Sequence, residues 1–78
     1  MSPRLPRVTA PQALRALKRS GWYEHRQTLG GHVQLKHPDR PERRVTIPMH
    51  SGVTLSVKTL ATIRDQAGLT ADEFRQLL

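Results

Sequence analysis

Cysteine is absent from this sequence, the aromatic residues are one Trp, one Tyr and one Phe, and only six residues are acidic. Without cysteine there is no disulfide framework and no thiolate metal site. With so few aromatics, recognition of single-stranded bases by stacking on rings has little to work with. No apolar run approaches the roughly 20 residues of a spanning helix, and the N-terminus Met1-Ser2-Pro3-Arg4 has no apolar signal core, so a cytoplasmic protein is expected. The four histidines at 25, 32, 37 and 50 match no compact metal-ligand spacing, which predicts chemistry without a metal or other cofactor.

What is present is positive charge. Thirteen Lys and Arg against six Asp and Glu give a net charge of +7 on 78 residues, and ten of the thirteen are Arg. Such a balance draws polyanions to the surface, and Arg spread along a chain suits bidentate phosphate contact. A chain of this length forms one domain with a thin core.

Thr9-Ala10-Pro11-Gln12 carries the signals of a helix start, with a capping Thr, a first-turn Pro and a Gln three residues on. Ala10, Ala13, Leu14 and Leu17 form its apolar stripe, Arg15, Lys18 and Arg19 its opposite face, and Gly21 its end. The period then changes to alternation. Strands are expected over Trp22–Leu29, His32–His37 and Arg44–Ile47, joined by turns at Gly30-Gly31 and Pro38–Pro41, with Pro48 as terminator. Ser56 opens a second helix with Val57, Leu60, Ile63 and Ala67 on one stripe, and Gly68 closes it. Thr70 to Glu73 is a capping box for a short last helix bearing Phe74, Leu77 and Leu78. Residues 1–8 read as a loose arm and 9–78 as one domain. The fold class is α+β, in the order α-β-β-β-α with an extra C-terminal helix.

Three strands cannot support two cores, so both main helices should cover one sheet face. Val33, Leu35, Val45 and Ile47 point inward. His32, Gln34, Lys36, Arg44 and Thr46 are left on an open, cationic face beside a glycine turn, a surface suited to a phosphate backbone.

The pieces Gly21-Trp22, Arg26-Gln27, Gly30-Gly31-His32, Lys36-His37-Pro38, Val45-Thr46-Ile47-Pro48-Met49-His50, Lys58-Thr59-Leu60 and Gln66-Ala67-Gly68-Leu69 stand in an order that resembles the HicA-type toxins. The resemblance covers roughly residues 9 to 75, and it is the order of seven pieces, none specific alone, that carries it. It implies a fold similar to a double-stranded-RNA-binding domain, cleavage of mRNA independent of the ribosome, and a cognate HicB-type antitoxin. It also implies that activity is carried by the histidine of a Gly-Ser-His turn, which maps onto His32. Gly31 here replaces the Ser of that turn, and the interval from Arg26-Gln27 to the turn is about one residue longer.

The residues are compatible with that chemistry, although without the resemblance His32 reads as a surface histidine of a hairpin. Cleaving RNA without metal needs a base for the 2′-hydroxyl, an acid for the leaving oxygen, and cations for the charge that grows on phosphorus. Histidine, with an ordinary pKa of about 6.5, suits both proton steps. His32 is the leading candidate and His50, past the end of the third strand, a second. Arg26, Gly30, Gly31, Gln34, Lys36 and Arg44 are candidate phosphate-binding residues. His25 and His37 read as plain strand or turn residues, and Trp22 as a core anchor. The alternative reading of the same face is an RNA-binding module without catalysis. A DNA-binding regulator is disfavoured by the lack of helix-turn-helix spacing.

Overall fold

The structure, a computed structural model, describes residues 7–49 and 54–78. Helix α1 (Ala10–Arg19) is followed by strands β1 (Tyr23–Gln27), β2 (His32–His37) and β3 (Arg40–Pro48), then α2 (Val57–Ala67) and α3 (Ala71–Leu77). The helix signals act as expected. Thr9 and Thr70 each form a full capping box, with Gln12 and Glu73 respectively, and Ser56 accepts from the Thr59 amide. Helix α1 ends in a Schellman turn, with Gly21 N donating to Lys18 O, Trp22 N to Leu17 O, and Gly21 at φ +96°.

The strands pair antiparallel in the order β1-β2-β3, and four strand boundaries differ from expectation. β1 begins at Tyr23 because Trp22 leaves the strand line for the core, where it is 3% exposed. β1 ends at Gln27 because Thr28 is already bonded into the turn. β3 is longer than Arg44–Ile47 at both ends, so the β2–β3 turn shrinks to Pro38-Asp39.

Pro48 is a member of β3 rather than its terminator. Met49 N donates to Gly31 O and Val33 pairs with Ile47, so the nitrogens of Arg44, Thr46 and Pro48 face away from β2. A proline that faces the outer edge costs the ladder no bond. The Thr46 amide on that edge donates to the Gln66 side chain of α2 at 3.0 Å. Between them, Pro48 and Gln66 blunt the β3 edge.

Val33, Leu35, Val45 and Ile47 are buried as expected, against Ala13, Ala16, Leu17, Leu60, Ile63, Ala67 and Phe74. The helices lie over β2 and β3, and every residue of β1 is exposed. The expectation of one covered and one open face therefore holds for two strands, while β1 projects beyond the helical layer. Two further residues differ. Val57, placed on the buried stripe of α2, is 63% exposed. Val8, at the end of the expected arm, is 2% exposed and its carbonyl accepts from Leu55 N at 2.7 Å. The arm's residues 1–6 lie outside the described residues.

Two polar devices fasten these layers. Arg43 donates to the carbonyls of Asp65 and Gln66, and Arg40 to that of Ala67, each at 3.2 Å. Cationic groups there bond the last carbonyls of α2, of which Asp65 O also accepts from Gly68 N, and suit the negative end of the helix dipole. On the other side of the core, the His37 ring bridges the α1 cap to the β2–β3 turn. Asp39 N donates to Nδ1 at 3.1 Å, and Nε2 lies 3.0 Å from Ser20 O. Both bonds together require the tautomer with its proton on Nε2. The Trp22 and His37 rings meet edge to face at 5.3 Å.

A Cβ on Gly21 would come within 2.7 Å of His37 Nε2, at a backbone φ that side chains disfavour. Gly21→Ala is expected to lower unfolding free energy by about 2 kcal/mol, of which roughly half is relieved in a His37→Ala background. Urea denaturation of the two single variants and the double variant measures that coupling. Additive losses would show that the ring and the glycine do not interact.

Candidate functional site

The covered strands fix what the uncovered side of the sheet presents. Directly paired residues share a face, so the register lays the open side out in rungs. Arg26, Gln34 and Thr46 form the middle rung across all three strands. His32 and Pro48 form the rung at one end, with Thr28 bonded opposite His32. Tyr23 and Lys36 form the rung at the other end, and Arg44 falls beside it by alternation with the buried Val45. Between Glu24 and Arg26 the pairing shifts, leaving His25 as the extra residue of a bulge. The bulge turns Glu24 toward the helical side, where it meets Lys18 at 2.7 Å, and leaves Arg26 on the open side.

Rungs on one face are about 7 Å apart along a strand. Arg26 and Gln34 therefore stand one step from His32, and Lys36 and Arg44 two steps. Of the sequence-predicted residues, His32, Arg26, Gln34, Lys36 and Arg44 come together on one face but not at one point. The side chains of Arg26, Lys36 and Arg44 make no ion pair or hydrogen bond with other described residues.

The turn that presents His32 has defined geometry. Gly31 N donates to Thr28 O at 3.1 Å, and Gly31 follows at φ +80°. This is a three-residue hairpin loop in which one residue must be left-handed. Thr28 N donates to His32 O at 2.8 Å, and Thr28 Oγ1 accepts from His32 N at 3.2 Å. His32 itself is half-buried. The two glycines have different reasons: Gly31 needs its conformation, whereas Gly30 does not have positive φ, and a Cβ there would meet only Thr28 Oγ1, at an ordinary contact distance of 3.9 Å.

His50 lies outside the described residues. His37 belongs to the structural bridge between the α1 cap and the β2–β3 turn, and His25 is exposed on β1. Among the described residues no three of His, Cys, Asp and Glu gather into a group able to hold a metal ion. The carboxyl of Glu73 is held below its ordinary range by the backbone and hydroxyl of Thr70. That group belongs to the α3 cap, away from the sheet's open face.

Sequence reasoning missed Tyr23 and Thr28. Thr28 could have been found by counting back across the Gly30-Gly31 turn, which sets it opposite His32. Tyr23 could not, because the bulge at His25 changes which face it occupies.

Among the described residues, no helix is long and apolar enough to cross a membrane. A family model described as the HicA toxin of bacterial toxin-antitoxin matches residues 10–69, which includes every described residue of the open face. No curated protein matches the chain.

The two glycines separate experimentally. Gly31→Ala is expected to cost about 1–2 kcal/mol of stability through its left-handed backbone, with Gly30→Ala within about 0.5 kcal/mol of wild type. Equal losses in thermal or urea unfolding would contradict a hairpin loop that is left-handed at Gly31 alone.

Proposed function

The chain belongs to the HicA toxin family of bacterial toxin–antitoxin systems, and from that premise we propose that it is an endoribonuclease that cleaves mRNA and so stops translation, with His32 as its catalytic residue. The observation that supports this most is the placement of His32. It sits at the end of an open sheet face, on a turn with defined backbone hydrogen bonds, one rung from Arg26 and Gln34 and two from Lys36 and Arg44.

In the proposed reaction the 2′-hydroxyl oxygen attacks the adjacent phosphorus and the bond to the 5′-oxygen breaks. One proton leaves the nucleophile and one reaches the leaving oxygen. His32 takes or gives one of these protons, and His50 is proposed as the second carrier. Negative charge grows on the non-bridging oxygens between the two transfers, and donors already aimed at that position lower the barrier. Arg26 and Gln34, one rung from His32, are the residues proposed for the phosphate under attack. Lys36 and Arg44, two rungs away, are assigned to neighbouring phosphates, where they hold the strand along the sheet. Gly30 and Gly31 let the sugar–phosphate chain approach the turn closely. No metal or other cofactor enters this scheme.

Recognition by this face runs mainly through the backbone, which gives weak sequence preference and strong salt dependence. A HicB-type antitoxin is the proposed partner, silencing the enzyme by covering His32 and the cations beside it.

His32→Ala is expected to reduce cleavage of a purified mRNA by at least about a hundredfold, while the affinity for RNA changes less than about threefold. Arg26→Ala and Arg44→Ala should each reduce the slope of log affinity against log salt by roughly 0.7. Gel assays of cleavage and anisotropy titrations at several salt concentrations read both. RNA bound but left intact by the wild-type chain, free of any partner, would establish a binding module in place of a nuclease.

A further inference from the structure

One residue on the open face is bonded to the turn at every polar position it has. The backbone of Thr28 donates to His32 O at 2.8 Å and accepts from Gly31 N at 3.1 Å, while its Oγ1 accepts from His32 N at 3.2 Å. Hairpin closure alone explains the two backbone bonds, since any residue at this position would make them. It does not explain the third. The hydroxyl adds a bond to the amide of His32 itself, in a partly buried setting, and no other side chain among the described residues bonds to the backbone of this turn.

The need for such a bond is written in the neighbouring residues. Leu29, Gly30 and Gly31 link the two strands, and two successive glycines leave a backbone with wide conformational freedom immediately before His32. An imidazole that must exchange protons with a specific oxygen has little tolerance for displacement at its Cα, and displacements of about 1 Å can cost on the order of a hundredfold in rate. A threonine is stiff at χ1, so its hydroxyl is a fixed post rather than a mobile one.

We propose that Thr28 is the positioning residue of the site, its hydroxyl holding the His32 backbone in the place from which the ring reaches the phosphate; this role rests on the reading of the chain as a nuclease.

The test uses the full chain and three variants. Thr28→Val keeps the shape and both backbone bonds but removes the hydroxyl. Thr28→Ser restores it. Thr70→Val removes the equivalent hydroxyl bond at the α3 cap, in which Thr70 Oγ1 accepts from Glu73 N, and serves as a comparably destabilised control outside the site. With a defined RNA substrate, Thr28→Val is expected to lower kcat by roughly ten- to a hundredfold with KM unchanged. Thr28→Ser should stay within about threefold of wild type, and Thr70→Val should lose a similar few degrees of Tm to Thr28→Val with kcat intact. Wild-type kcat in Thr28→Val overturns the proposal. So does a rise in KM alone, which would make the hydroxyl a substrate contact, and so does an equal loss of kcat in Thr70→Val, which would make the effect one of stability. Wild-type and His32→Ala arms run in parallel: a wild-type chain that leaves RNA intact, or full activity in His32→Ala, sinks the nuclease reading and this role with it.

Discussion

The structure depends on the register of its central strand. β2 has a buried residue at every second position, Val33 and Leu35, and its neighbours Val45 and Ile47 face the same core. A slip of this strand by one residue would carry His32, Gln34 and Lys36 under the helices and put its two aliphatic side chains, Val33 and Leu35, in water. Fully burying each such side chain is worth about 1.5–3 kcal/mol, against a total stability of about 5–15 kcal/mol for a domain. Losing two of them, with a lysine and a glutamine buried in their place, removes most of that stability. The open face is not a separate feature added to the fold; it is the other half of the pattern that makes the core.

The turns make this register possible from both ends. At one end Gly31 and Thr28 close a three-residue loop. At the other, Pro38 and Asp39 close a tight turn, and His37 ties it to the cap of α1. The family-like pieces Gly21-Trp22 and Lys36-His37-Pro38 are far apart in sequence and belong to one contact, in which the ring of His37 fits over a position that admits no side chain. Several pieces of the resemblance thus report the framework, not the chemistry. His32 with its glycine turn stands apart from them, because its side chain points away from the core.

Positive charge divides in the same way. A net charge of +7 suggests a single basic surface, but the cations have separate tasks. Arg40 and Arg43 hold the C-terminal carbonyls of α2, Arg19 reaches Leu77 O at the end of α3, and Lys18 pairs with Glu24. Composition could not reveal this division, since it depends on which carbonyls a folded helix leaves unsatisfied. Local signals were legible: the capping residues of all three helices, the β2 limits, the inward set of β2 and β3, and the core role of Trp22. What escaped the sequence was set by neighbours. Whether Pro48 ends a strand depends on which way its nitrogen faces. Whether Val57 is buried depends on where β3 and α3 lie, and whether β1 is half-covered depends on how far two short helices extend.

The narrowness of the helical layer bears on function. Because the helices cover only β2 and β3, β1 is wetted on both sides, and Tyr23 is the only Phe, Trp or Tyr side chain among the described residues of the open face. On the proposed reading, an RNA strand along this surface meets cations, amides and hydroxyls, which engage any ribose-phosphate chain, and few groups that distinguish one base from another. Such an enzyme cannot limit its own damage by selectivity at the site. Restraint has to come from outside, through a partner whose binding removes the face from solution in proportion to its excess over its dissociation constant. Pairing of toxin with antitoxin, which the family carries, is then the counterpart of an interface built on backbone contact: the less the site discriminates among RNAs, the more completely its control must rest on occupancy by protein.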